Sequence, residues 1–326
     1  MAMAALPEEI EEEILMRIPP DDPASLVRAA VVCKPWGRLI SGAGFGRRYR
    51  VLHRSPPMLG FFHVRTCEGI PFDSGLFVPT SRFRPSCVDR PGWQVIDARH
   101  GRILLHPPSW GTKPFIVWDP ITGVQQELPL LNPLVSPCCC NAAVFCAIAG
   151  ACDHLDCHHG PFNVVLVSTT KTVMFVYIYS SDVGVWSELV STQRISRVPI
   201  KTLPSVLVRN ALYFAFHGNK HFLKYELGTQ KISVICIPPS VWSYRRPVTV
   251  LTMENDMLGF ATVINHNIHL WSRKVDPVRG SRFELIRVIE LETLLPAGTA
   301  MRSSPEISFA DGAILCPHIM AYSLLI

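Results

Sequence analysis

Residues 95–105 read VIDARHGRILL, which is a short apolar run, a turn and a second short apolar run. His100-Gly101 lies at the centre, and glycine readily adopts the positive φ that a tight two-residue hairpin requires. Similar text recurs at residues 207–214, 251–260 and 308–315, with the turn pairs Asn210-Ala211, Asn255-Asp256 and Asp311-Gly312. The sequence therefore predicts a β-hairpin that is repeated along the chain.

A second hairpin follows the first in two of these units. Its two copies are residues 115–118, 119–123 and 124–129, and residues 222–225, 227–229 and 231–238. The turn pairs of the first hairpins lie 110, 45 and 56 positions apart, and the longest gap leaves room for one further unit between residues 141 and 189. Each unit is thus expected to hold four strands.

Four-stranded units that repeat at such spacing are typical of β-propellers, whose radial arrangement protects most strand edges. We predict an all-β propeller-like domain of about five to six blades over residues 58–326. The last unit begins near residue 305 and stops about half a blade later. Either a strand near Met58 closes the ring, or the domain is incomplete at its C-terminus.

The first fifty residues have the periodicity of short helices instead. Ile10, Ile14 and Ile18 recur at four-residue spacing, which gives one apolar stripe on a helix. Pro7, Pro23 and Pro35 suit the first turns of three helices, because a missing N–H costs little there. We predict three short helices over residues 5–50 and a linker at 51–57, so the chain is an α+β multidomain protein. A unit this small leaves apolar surface for a partner or for the chain's own β domain.

The residues of this helical segment resemble the F-box motif in order and spacing. The matching positions are Leu6-Pro7, Ile10, Ile14-Leu15, Ile18-Pro19, Asp22, Leu26, Val32-Cys33-Lys34, Trp36, Leu39-Ile40 and Phe45. The resemblance implies docking to the Skp-type adaptor of a cullin-RING ubiquitin ligase. The residues that it implies for adaptor binding are Leu6, Pro7, Ile10, Ile14, Leu15, Ile18, Pro19, Leu26, Val27, Val31, Cys33 and Trp36. Pro35 and Ser41-Gly42-Ala43-Gly44 depart from the family pattern, so a shortened third helix is expected.

A second resemblance covers residues 58–326. Trp118-Asp119-Pro120-Ile121-Thr122-Gly123 and the closing Leu128-Pro129 are similar to the F-box-associated domains of plant, particularly grass, F-box families. WD repeats are disfavoured because Trp118-Asp119 lacks their Gly-His partner, and kelch repeats because the chain contains no Gly-Gly pair.

Composition and charge exclude several classes of protein. Hydrophobic residues make up 48% of the chain and charged residues 17%, which disfavours disorder, while a net charge of +5 gives no reason to expect nucleic acid or a membrane as a partner. The longest clean apolar stretch, residues 142–152, is shorter than the roughly 20 residues of a membrane-spanning helix. Acidic Glu8–Glu13 follows the N-terminus where a secretory signal would be apolar, so the eleven cysteines are expected to be reduced, in the cytoplasm or nucleus.

A cysteine- and histidine-rich segment is the strongest candidate for a metal site. It contains Cys138, Cys139, Cys140, Cys146, Cys152, His154, Cys157, His158 and His159. Thiolate and imidazole suit tetrahedral zinc, but no Cys-x2-Cys pair is present. We therefore interpret the segment as buried thiols beside a solvated histidine-rich loop, with bound metal as the alternative, and expect no metal and no cofactor.

The sequence lacks the motifs of common catalytic sites, including Gly-x-Ser-x-Gly, a phosphate-binding glycine loop and His-Glu-x-x-His. The loop with Trp242, Tyr244, Arg245 and Arg246 is the best candidate for substrate binding, because aromatic residues and Arg dominate binding hot spots. The favoured hypothesis is a non-catalytic substrate receptor that joins the adaptor, and through it a cullin, to an unidentified protein target. The alternatives are an adaptor-binding scaffold or decoy, and a propeller enzyme or lectin with an incidental helical cap.

Overall fold

The computed structural model describes most of the chain. The described residues are 7–20, 22–53, 58–64, 66–67, 70–71, 76–79, 85, 92–107, 113–131, 139–148, 152, 154, 157–170, 172–187, 190–193, 198–218, 220–242, 246, 248–276, 280–290, 308–310, 313–315 and 320–325.

The N-terminal part consists of four helices where the sequence predicts three. They are α1 (Glu8–Met16), α2 (Pro23–Val32), α3 (Lys34–Ser41) and α4 (Ala43–His53). The fourth helix begins inside the Gly-containing segment that was expected to shorten the third, and it extends past the predicted boundary at residue 50 into the predicted linker. Glycine lowers helix propensity, but packing against the other helices overrides that preference here.

The helix starts follow from local chemistry. Asp22 caps α2, because its Oδ1 accepts a hydrogen bond from the Ser25 N–H at 3.3 Å, and Pro23 occupies the first turn. Pro7 precedes α1, and Glu8, Glu9 and Glu11 lie in the first turn, where the helix dipole favours negative charge.

The four helices pack around a small core of their own. Leu15, Ala29 and Phe45 are buried in it, and the partly buried side chains around them are Met16, Ile18, Leu26, Trp36, Leu39, Ile40 and Tyr49. Helix α4 is tied to the end of α1 because the Tyr49 hydroxyl donates to the Ile18 carbonyl at 2.5 Å.

The remainder is built from antiparallel sheets, and four of them follow the chain in order. The first contains β5 (Gln94–Arg99), β6 (Arg102–His106), β7 (Ile116–Trp118) and β8 (Gln125–Glu127). The second contains β9 (Cys139–Cys146), β10 (Phe162–Thr169), β11 (Val173–Ser180) and β12 (Val185–Trp186), with β13 (Val190–Gln193) also paired to β11. The third contains β14 (Val206–Val208), β15 (Ala211–Ala215), β16 (His221–Glu226) and β17 (Ile232–Cys236), followed by the short helix α5 (Pro239–Trp242). The fourth contains β18 (Val248–Met253), β19 (Met257–Ile264), β20 (Asn267–Asp276) and β21 (Gly280–Glu290).

The four-strand unit predicted from the sequence is thus present in each of these sheets. The first turn of the first sheet is the predicted His100-Gly101 pair, with φ of 50° and 73°. In the third sheet the turn lies one residue earlier than the predicted Asn210-Ala211, because Val208 pairs with Ala211 and leaves Arg209 and Asn210 between the strands. The predicted Asp311-Gly312 turn lies outside the described residues.

The sheets pack face to face in chain order, and strand alternation explains how. On β10, Val164 and Leu166 point to the core shared with the first sheet, whereas Val165 and Val167 point to the core shared with the third. Strand β15 repeats this pattern, since Leu212 and Phe214 face the second sheet and Ala211 and Tyr213 face the fourth. Strands that are apolar on both faces therefore reflect sheets covered on both sides.

Strands from the two ends of the β region meet in a further sheet. Its order is β24 (Met320–Leu325), β1 (Met58–Val64) and β4 (Leu76–Pro79), and His63 pairs with Ala321. Two small ladders are formed by β2 (Thr66–Cys67) with β3 (Ile70–Pro71), and by β22 (Ser308–Ala310) with β23 (Ala313–Leu315). A strand near Met58 does pair with the chain's last strand, as one of the two predictions requires, but the described residues do not display a closed propeller.

No helix within the described ranges is both long enough and apolar enough to cross a bilayer.

Candidate functional site

Two apolar stripes on the helical unit face solvent. On α1, Ile10 and Ile14 are one turn apart and remain 44% and 45% exposed. On α2, Val27 and Val31 are also one turn apart and are 65% and 79% exposed, with Val32 beside them. Pro7, Pro19 and Cys33 are exposed too. Exposed aliphatic side chains grouped in this way on a small helical unit are typical of a surface that binds a partner.

One residue predicted to bind the adaptor is buried in the helical core, and three others are half-buried against it. Leu15 has no exposed surface, and it packs with Ala29 and Phe45. We therefore assign Leu15 to the helical core and correct the prediction that it contacts a partner. Ile18, Leu26 and Trp36 are half-buried against the same core, and Leu6 lies outside the described residues.

Ion pairs and close helix contacts hold these helices together. The Arg48 guanidinium on α4 pairs with the Glu12 carboxylate on α1, and the His53 ring nitrogen Nε2 lies 2.9 Å from the Met16 carbonyl oxygen. A Cβ on Gly37 would lie 2.8 Å from the Ala30 carbonyl oxygen, so glycine permits α3 to approach α2. The exposed stripes thus lie on helices that are held together by contacts with one another.

A second candidate site lies in the connection between β9 and β10. In the first and third sheets the first two strands are joined by two residues, whereas residues 147–161 join them in the second sheet. Cys146 ends β9, and Cys157 lies in a 3₁₀ turn (Cys157–His159) that leads into β10. The two ends of this connection meet in one hydrogen bond, in which the Ala147 N–H donates to the Pro161 carbonyl at 3.0 Å.

The structure brings four of the predicted thiol and imidazole groups together. The ligand atoms of Cys146, Cys152, His154 and Cys157 all lie within 4.8 Å of one another. The Cys157 Sγ is 3.5 Å from Nδ1 of His154. Cys146 and Cys157 are buried, Cys152 is half-buried and His154 is exposed. Burial raises the pKa of the Cys157 thiol to about 12, and charge on Cys146 or Cys152 acts in the same direction.

Two residues of the neighbouring β5–β6 hairpin surround this cluster, and sequence reasoning did not identify either. The buried Arg102 guanidinium donates from Nη2 to the carbonyl oxygens of Cys157 and Gly160, at 2.7 and 2.5 Å. The His100 ring stacks on His154 with centroids 4.0 Å apart and planes 6° apart, and His100 Nδ1 accepts from the Cys146 N–H at 3.2 Å. The signal available in the sequence was the His100-Gly101 turn, because a tight turn places its flanking side chains at the hairpin tip.

Two other members of the segment whose side chains the structure describes, Cys140 and His159, are not part of this cluster. Cys140 is six residues before Cys146 on β9 and is buried in the core between the first two sheets. His159 is exposed at the end of the 3₁₀ turn. Cys138 lies outside the described residues. Buried Cys146 and Cys157 and exposed His154 agree with buried thiols beside a solvated loop, and the closeness of the four groups is what the alternative of a bound metal requires.

The predicted substrate loop is only partly described. Trp242 ends α5 and packs on the core between the third and fourth sheets, with the Lys220 ammonium 5.3 Å from its ring centroid. Arg246 is half-buried, and Tyr244 and Arg245 lie outside the described residues. Trp242 thus packs partly on this core, and substrate binding by the loop stays a prediction.

Comparison with known proteins identifies one domain. Residues 3–48 match the F-box domain, which covers α1 to α3 and the first half of α4. This match confirms the F-box resemblance, and F-box domains in general bind the Skp-type adaptor of Skp–cullin–F-box ligases. No curated protein matches the chain.

Among solved structures, the chain is similar to an auxiliary nutrient binding protein from Bacteroides thetaiotaomicron. The sequence identity is 13%, the TM-score is 0.36, and the alignment covers 66% of this chain and 54% of that one. The chain thus spans about half the length of that structure. A likeness this distant carries no argument about fold or function.

Proposed function

We propose that the protein is a non-catalytic substrate-recognition subunit of a Skp–cullin–F-box ubiquitin ligase. Its helical unit binds the Skp-type adaptor, and its β region, which we propose to be propeller-like, holds a protein target. The observation that carries the proposal is the pair of exposed apolar stripes on helices that belong to an F-box domain.

The stripes support adaptor binding for an energetic reason. Burying apolar surface stabilises a complex by roughly 25 cal/mol per Å², and a large exposed aliphatic side chain contributes about 1.5 kcal/mol or more when it is covered. Val27 and Val31 are more exposed than Ile10 and Ile14, so we place the centre of the adaptor-binding surface on α2.

The β region supports the receptor role by its size and because its cores contain no residue of the helical unit, which has a core of its own. The adaptor holds one end of the chain, and a target bound at the β region is then kept close to the conjugating enzyme that the ligase recruits. Catalysis by proximity needs no reactive group on the receptor itself.

The proposal is tested by a pull-down of the full chain with a Skp-type adaptor. We expect Val31→Lys to weaken binding at least tenfold, because a charge replaces an aliphatic contact. Lys at the end of α2 also complements the helix dipole, so the helix itself should not be weakened. Val275→Lys is the matched control, since Val275 is 75% exposed on β20 in the other part of the chain.

Wild-type protein that fails to bind the adaptor, or a Val31→Lys variant that binds as well as Val275→Lys, would contradict the proposal. Receptor activity requires a second measurement. Affinity capture with the proteasome blocked should recover a target whose ubiquitination falls with Val31→Lys, whereas a scaffold or decoy would bind the adaptor and recover none.

A further inference from the structure

We propose that Cys146, Cys152, His154 and Cys157 form a structural zinc site that closes the long connection between β9 and β10. The four residues offer three thiol sulfurs and one imidazole nitrogen, which is a Cys₃His donor set. Their spacing is Cys-x5-Cys-x-His-x2-Cys, all within twelve residues of chain.

The geometry suits tetrahedral coordination. With Zn–S of about 2.3 Å and Zn–N of about 2.0 Å, two ligand atoms on a tetrahedron lie roughly 3.5 to 3.8 Å apart. The Cys157 Sγ to His154 Nδ1 distance of 3.5 Å already equals such an edge, and all four ligand atoms lie within 4.8 Å of one another. A small contraction of the cluster would therefore complete the site. Nδ1 of His154 is the ring nitrogen beside the Cys157 sulfur.

The charge balance points to a metal as well. Binding of Zn²⁺ requires three thiolates, so three protons leave and the zinc with its ligands carries a net charge of −1. The Arg102 guanidinium is buried beside the cluster and supplies one positive charge there. Its two hydrogen bonds to the Cys157 and Gly160 carbonyl oxygens hold the turn that carries one ligand. Arg102 would thus neutralise the site and position Cys157.

The place of the cluster in the fold explains why a cross-link is useful there. In the first and third sheets, two residues suffice to join the first strand to the second. In the second sheet, residues 147–161 make the same connection. A connection of this length costs more conformational entropy to order than a tight turn does. A metal that joins Cys146 at the end of β9 to Cys157 before β10 shortens the unconstrained part.

Zinc is favoured over other metals because soft thiolates in a tetrahedral set select it, and four protein ligands leave no open position for substrate. The site is therefore structural, and it is distinct from the adaptor-binding surface on α1 and α2. Its occupancy can be measured without reference to adaptor binding, so either proposal can fail alone.

The test is the metal content of the purified full chain after expression with added zinc. We expect about one zinc per chain in wild type and loss of that zinc in His154→Ala and Cys152→Ser. His159→Ala and Cys236→Ser are the matched controls, because both residues are exposed and neither belongs to the cluster; both variants should retain the zinc.

A second measurement does not depend on the folding of a cysteine variant. Titration of the metal-free wild type with Co²⁺ should give the visible absorption of tetrahedral cobalt with thiolate ligands, and a zinc chelator should lower the thermal midpoint of wild type but not of His154→Ala. A wild-type chain with neither zinc nor the cobalt spectrum, a disulfide between two of the three cysteines, or bound iron or copper instead of zinc would each overturn the proposal.

Discussion

Asp97 on β5 is a carboxylic acid with 1% of its surface exposed. Its Oδ2 accepts a hydrogen bond from the Val144 N–H of the second sheet at 2.8 Å, and its Oδ1 lies 3.3 Å from Nη2 of Arg99. Burial raises the pKa of Asp97 to about 6, although Arg99 and the N–H groups of Val144 and Ala98 act in the opposite direction. One side chain thus joins two sheets while it carries a cost of desolvation.

The raised pKa makes folding stability depend on pH. Between about pH 4 and pH 6 the folded chain keeps a proton on Asp97 that the unfolded chain has released. The contribution of Asp97 to stability is therefore complete below the ordinary pKa of 3.8, and it is lost as the pH rises through 6.

Asp97→Asn should remove this dependence, because an amide keeps an oxygen for the Val144 N–H and has no proton to release. We expect the difference in unfolding free energy, wild type minus variant, to fall by on the order of 2 to 3 kcal/mol from pH 4 to pH 7. Urea unfolding of both proteins across that range is the measurement. Asp182→Asn, in an exposed turn, is the control, and parallel pH profiles for wild type and Asp97→Asn would refute the argument.

At the scale of the element, the turns between the third and fourth strands of the first three sheets each contain a residue with positive φ near their end. Gly123, Gly184 and Gln230 have φ of 76°, 76° and 54°, and each lies one or two residues before the fourth strand begins. In the first sheet Asp119 stabilises the turn further, because its Oδ1 accepts from the N–H groups of Ile121 and Thr122 at 2.8 and 3.2 Å.

Asp119→Ala should cost about 1 to 3 kcal/mol of stability, because two N–H groups in a partly buried turn lose their acceptor. Thr229→Ala is the matched control in the corresponding turn of the third sheet, where the exposed Thr229 hydroxyl bonds only to the Glu226 carboxylate among the contacts described. We expect that variant to cost less than about 0.5 kcal/mol. Equal losses in thermal or chemical unfolding would contradict this difference between the turns.

Elements whose signal is local could be predicted from the sequence. The hairpin of the first sheet turns at the predicted His100-Gly101, since the apolar runs on either side of this pair leave little choice for the place of the turn. On α1, however, Leu15 is buried and its neighbour Ile14 is not, and a stripe of equally apolar residues cannot indicate which of them the other helices will cover. The sequence indicated the cysteine- and histidine-rich segment but not which of its members meet, because a long connection that packs beside the hairpin of the preceding sheet brings them together.

At the scale of the whole molecule, the order of sheets depends on contacts that are distant in sequence. The four sheets pack on their sequence neighbours, and β24 lies between β1, with which it pairs, and β5 of the first sheet. β22 lies beside both β18 and β24. The C-terminal strand is therefore the link by which the last part of the β region meets the first.

Removal of residues 318–326 tests that link. Without β24, β1 becomes an edge strand, so the amide hydrogens of β1 and β4 should exchange faster, and the thermal midpoint should fall by roughly 5 °C. The sheet β14–β17 serves as the internal control, because it has no pairing with β24, and its exchange should change little.

Adaptor binding should survive the same truncation, because α1 to α4 pack on a core of their own around Leu15, Ala29 and Phe45. The truncated chain would then separate the two activities that we propose: it would bind the adaptor as wild type does but hold its target less well. Unchanged exchange in β1 would mean that the pairing of the chain ends contributes nothing to the β region. Loss of adaptor binding would mean that the helical unit depends on the β region, contrary to the separate cores of the two parts.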